Sequence, residues 1–129
     1  MTREPADAIE ALEAYVQCGH EVTNVRSWTL AADADPLSGR VGRLALERAI
    51  QNFGEAAARI KTHYPELARV YPELQLPPAV AMRAVLAHDY DRIIPAVADQ
   101  TADQDIPAAT VAAEEVLRAL LAERDRRDR

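Results

Sequence analysis

Cysteine is almost missing from this chain. Cys18 is the only one in 129 residues, so no intramolecular disulfide can form and nothing points to an oxidising compartment. A reactive thiol needs a neighbour that lowers its pKa, and between Gln17 and Gly19 there is none, so a small buried hydrophobe is the expected role. Glycine is scarce too, and neither G-x4-G-K-[ST] nor G-x-G-x-x-G occurs, which argues against nucleotide binding in its own right. The three histidines and the cysteine lie far apart, with no H-x3-H or C-x2-C spacing for zinc. Asp99, Asp103 and Asp105 lack the glycine turn and terminal glutamate of a calcium loop. The expected complement of metals and cofactors is therefore none. Long apolar runs are absent as well. "MTREPADAIE" has no apolar h-region, and no stretch could span a bilayer, so a cytoplasmic protein with no membrane partner is expected. Positive charge is in deficit, at a formal net −6, which argues against a broad basic surface for duplex nucleic acid. A small site with a few arginines acting on one phosphate is still compatible with that charge.

What is present favours helix. Alanine, leucine, glutamate and arginine dominate, and prolines fall in clusters that punctuate helices. The length suits one domain over 1–129, with a solvated, frayed tail from about residue 122. The first helix is expected over about 5–22, with Ile9, Leu12, Val16 and Gly19 on one face. "SWTLAADADPLSGR" then reads as a loop whose Trp28 and Leu30 pack back on the core. The second helix, about 40–63, carries the cleanest stripe: Leu46, Ile50, Phe53, Ala57 and Ile60. Gly54 inside it would weaken a helix by roughly 1 kcal/mol relative to alanine, and close approach of another helix is the usual compensation. "YPELARVYPELQLPP" is turn-rich, with one helical turn around Leu67, and a third helix begins near Pro77 and ends by Pro95. "ADQTADQD" reads as a polar loop in which Asp105 caps a fourth helix that buries Ala113, Val116, Leu117, Leu120 and Leu121. Together these predict an all-α, up-and-down four-helix bundle.

Into the third helix, "MRAVLAHDYDRII" sets Arg83, His88 and Tyr90 among apolar residues. Arg83 and Tyr90 lie within about 20° of each other on a regular helix, but His88 is roughly 140° round the axis from Arg83. Either the helix loosens near His88, or a second copy of the chain completes the site. The residue types suit phosphodiester chemistry, with arginine holding a phosphate and histidine moving a proton near neutral pH.

The spacing Arg83, four residues, His88, one residue, Tyr90 resembles the R-x4-H-x-Y signature of the HEPN superfamily, in its HepT-like toxin branch. "LERAIQNFGEAAARI" resembles that family's second long helix, with its Gly-Glu-Ala centre at Gly54, Glu55 and Ala56, and "HYPEL" resembles its helix-ending turn. The resemblance covers about residues 44–94. It implies a dimeric helical bundle whose paired motifs cleave RNA without a metal. It further implies a minimal nucleotidyltransferase (MNT) antitoxin that nucleotidylates the motif tyrosine. His88 would then be the general acid/base, Arg83 the phosphate holder and Tyr90 the silencing site, with Met82, Leu86 and Ile93 facing the core. Glu55 would be either a site-supporting carboxylate or a solvated one. Ala84 departs from the polar residue often found after the arginine, which removes a hydrogen-bonding group. That departure and the acidic charge favour an alternative: a non-catalytic dimeric helical module that docks a nucleotidyltransferase. His20 and His63 are read as helix-end residues with cation–dipole contacts.

Overall fold

The computed structural model describes residues 5–31, 35–88 and 95–129, and every element among them is helical. Helix α1 (Pro5–Ala31) and α2 (Pro36–His63) are long, α3 (Pro65–Val70) is short, and a 3-10 turn (Pro72–Leu74) leads into α4 (Leu76–His88). After α5 (Pro95–Gln100) the chain makes one π-helical turn (Thr101–Asp105) and continues as α6 (Ile106–Arg127).

In two expected loops most of the described residues are helical instead. α1 runs nine residues beyond 22, and α2 starts at Pro36, where the Asp35 carboxylate accepts from the amides of Leu37 and Ser38. Trp28 and Leu30 accordingly stay exposed and do not fold back on the core. The "ADQTADQD" segment is α5 and the π turn, and Asp105 is itself helical (φ −70°, ψ −48°) and makes no side-chain cap. Small residues explain it: Ala98, Thr101 and Ala102 are buried, and the Thr101 hydroxyl donates to the Val97 carbonyl at 2.8 Å. The basic tail remains helical to Arg127, with its last residues exposed.

The core forms as the stripes require. Leu46, Ile50, Phe53, Ala57 and Ile60 of α2 are all buried, against Leu12, Tyr15 and Val22 of α1 and Ala113 and Val116 of α6. Leu117, Leu120 and Leu121 are half-buried. Tyr15 stacks on Phe53 at 4.3 Å between ring centroids and donates its hydroxyl to the Leu74 carbonyl at 2.6 Å. That bond ties the 3-10 turn to α1. α1 lies antiparallel to α2, with Trp28 and Thr29 at Gly42 and Glu10 near Arg59. It is antiparallel to α6 as well, through Gly19 at Thr110 and Arg26 at Asp103. α4 packs on α2, and between these two and α6 lies an apolar cavity of about 220 Å³ floored by Ile50 and Phe53.

Candidate active site on the fourth helix

Arg83 is held where α4 crosses α2. A Cβ on Gly54 would lie 2.5 Å from Arg83 Cβ and 2.7 Å from the Ala79 carbonyl oxygen, closer than such atoms approach. Only glycine lets the two backbones meet there, as expected for a glycine inside a helix. The Arg83 side chain is half-buried. Its Nε is shielded from solvent and has no hydrogen-bond partner among the described residues, and none of them forms an ion pair with its guanidinium. A guanidinium whose donors are uncommitted is chemically suited to receive a carboxylate or phosphate.

α4 keeps α-helical backbone geometry from Leu76 through His88. A loosening of the helix before the histidine is therefore not how the three motif residues could converge. The His88 side chain, the Leu86 side chain, Tyr90 and Ile93 lie outside the described residues. Met82 is half-buried against the core, and Ala84 is exposed.

Glu55 is exposed on α2 and makes no hydrogen bond or ion pair with Arg83 among the described residues. It acts electrostatically on Cys18. That thiol is pushed above its ordinary value by burial first, and then by Glu21 and Glu55. A thiol held protonated in this way is a poor nucleophile. His20 lies mid-way along α1, contrary to the helix-end expectation, with Nε2 3.8 Å from Glu114 of α6. His63 is in the last turn of α2, edge-on to Tyr64.

A polar cluster escaped the sequence reading. Arg26 Nη1 lies 3.0 Å and Arg43 Nη1 2.9 Å from the same Asp99 oxygen, while Arg26 Nε reaches Asp103 at 2.9 Å. The hydrogen bond to Asp103, more than any other influence, raises the Arg26 pKa. The cluster ties α5 and the π turn to α1 and α2. Its signal was the spacing of Asp99 and Asp103, four residues apart and therefore on one helix face, visible only once this segment is recognised as helical.

The family model described as Ribonuclease HepT-like matches residues 7–116. The chain belongs to that family. No curated protein and no solved structure matches it significantly. The HepT-like span takes in α1, α2, α4 and the first half of α6, and with them Gly54, Glu55, Arg83, His88 and Tyr90. Among the described residues of this HepT-like chain, no helix is long and apolar enough to cross a membrane.

Proposed function

We propose that this HepT-like protein is a metal-independent endoribonuclease, the toxin of a HEPN/MNT-type toxin–antitoxin pair, acting as a homodimer in the cytoplasm. The observation that carries the reading is Arg83: a cation with uncommitted donors, on a helix pressed against Gly54, within the span matched by a ribonuclease family. The regular backbone of α4 up to His88 supports a site completed by the second copy of the chain.

In this mechanism His88 takes the proton from a ribose 2′-hydroxyl, and the oxygen attacks the adjacent phosphorus. The bond from phosphorus to the 5′-oxygen breaks, and the proton is returned to that departing oxygen. The products are a cyclic phosphate and a 5′-hydroxyl. Arg83 holds the phosphate and offsets the charge that builds on it, and proton transfer and charge stabilisation are each typically worth about 10²–10³-fold in rate. An MNT-type nucleotidyltransferase silences the enzyme by modifying Tyr90.

The test is purified protein incubated with total RNA in EDTA, beside His88→Ala prepared identically. Cleavage by the wild type alone is the expected result, and a 2′-deoxy substitution at a susceptible site should abolish it. The exposed methyl of Ala84 beside Arg83 favours the other reading, a non-catalytic module that docks a nucleotidyltransferase. RNA left intact by both proteins would establish that second reading.

A further inference from the structure

Five of the eight large apolar side chains that stand exposed among the described residues fall between Trp28 and Leu44. Three belong to the first half of α2: Leu37 (68% exposed), Val41 (49%) and Leu44 (56%). Their spacing of four and three puts them on one helix face. The opposite face carries the buried Gly42, Leu46, Ala49 and Ile50. This half of α2 is thus apolar on two sides, and among the described residues only one of them is covered. Trp28, half exposed at the end of α1, packs its ring edge at Gly42 on the covered side, about 100° round the helix from Val41. Further along α2 the outer face turns polar, with Arg48, Glu55 and Arg59 exposed.

The charges bordering this stripe identify what would cover it. Arg40 and Arg48 are exposed, stand four residues either side of Leu44, and have no acidic partner among the described residues. Eight residues of helix separate them by about 12 Å. Arg43, by contrast, is committed to Asp99. Arg48 also donates to the Gln51 side-chain oxygen at 3.4 Å, and the half-buried Glu47 lies on the same edge as Arg40. Two exposed cations against one carboxylate leave the border of the stripe net positive, complementary to leucines flanked by carboxylates. A second copy fits less well. Antiparallel pairing about a two-fold axis through Leu44 would set the two arginines of one copy against those of the other. Nucleic acid suits neither the apolar centre nor the small number of cations.

We propose that the outer face of the first half of α2, Leu37, Val41 and Leu44, docks an amphipathic helix of a partner protein whose apolar stripe is flanked by acidic side chains. Trp28 is the only tryptophan, so its emission reports docking without a label. The probes are two designed amphipathic peptides with the same leucine stripe, one flanked by glutamates and the other by lysines. The full-length protein should show a saturable shift in Trp28 emission with the acidic peptide and at least about tenfold weaker binding of the basic one. Arg40→Glu with Arg48→Glu should reverse that preference. Both substitutions are on the solvent side of α2, and circular dichroism checks that helicity is kept. The wild-type comparison decides the question even without the variant. No saturable shift, or equal binding of the two peptides, would overturn the proposal. So would a dimer that Leu44→Arg converts to monomer in sedimentation, because a second copy would then be the occupant. Binding is read without RNA, so the outcome is separate from the nuclease assay.

Discussion

Gly54 and Arg83 stand so close that the smallest side chain on the glycine would collide with the arginine's own Cβ, 2.5 Å away. The collision involves backbone-attached atoms on both helices, so no side-chain rotation relieves it. Gly54→Ala should destabilise the protein by about 1–3 kcal/mol, as overpacking does, and should lower RNA cleavage by shifting Arg83. Gly39, where an added Cβ would meet nothing within 4 Å, provides the contrast. Gly39→Ala should leave stability unchanged or raise it by up to about 1 kcal/mol. Urea denaturation of both variants checks the pair.

Alkaline stability should depend on Tyr15. Burial raises its hydroxyl well above the ordinary tyrosine value, while in the unfolded chain it titrates near 10. Above that pH the unfolded state gives up a proton that the folded state keeps, so folding stability falls as pH rises, by up to about 1.4 kcal/mol per pH unit. Below it the contribution is fully present. Tyr15→Phe should cost about 1–2 kcal/mol at neutral pH, through loss of the hydrogen bond to Leu74, and should make the decline between pH 9 and 11 shallower. Denaturation curves across that range for both proteins are the measurement.

Asp99 serves two arginines from different helices, whereas Asp103 serves one. Asp99→Ala should therefore cost more than Asp103→Ala, about 1–2 against about 0.5–1 kcal/mol. Arg26→Ala combined with Asp99→Ala should cost less than the sum of the two single changes, since the residues share one cluster. Equal and additive losses would mean that the cluster does not act as a unit.

Nucleotidylation of Tyr90 would place negative charge and bulk seven residues after the arginine that holds the substrate phosphate. Tyr90→Phe should keep much of the nuclease activity yet escape silencing by a co-expressed MNT-type nucleotidyltransferase. His88→Ala should lose activity while still accepting the nucleotide. Intact-mass measurement with peptide mapping reads both. Silencing that persists in Tyr90→Phe would remove Tyr90 as the switch.

The parts of the fold legible in the sequence were those where large apolar residues carry the helical period. The stripe from Leu46 to Ile60 is buried at every position, and Gly54 marks a close helix crossing as its place in the stripe suggested. The end of α1 was illegible because Thr23, Asn24, Ser27 and Thr29 have poor helix propensity. Tertiary contacts hold it helical all the same: Val22 is buried, and Arg26 forks onto Asp103. The segment before α6 was hidden for another reason. Its buried face is made of Ala98, Thr101 and Ala102, too small and too polar to register as a hydrophobic period. Arg83 stands out through its motif, whereas its uncommitted Nε is visible only in three dimensions.

The two tightest glycine approaches differ: a Cβ on Gly19 would fall 2.0 Å from the Thr110 hydroxyl oxygen, a side-chain atom, whereas one on Gly54 would meet main chain, the Ala79 carbonyl oxygen at 2.7 Å, as well as Arg83 Cβ. Where backbone meets backbone, the distance between helices is fixed by main-chain atoms and not by the sizes of the side chains around them. Core substitutions near α4, such as Ile50→Val or Met82→Leu, can then change how firmly the protein is folded without moving Arg83. Sequence drift in the interior and precision at the arginine are decoupled, and the chain is free to wander in one while holding the other fixed.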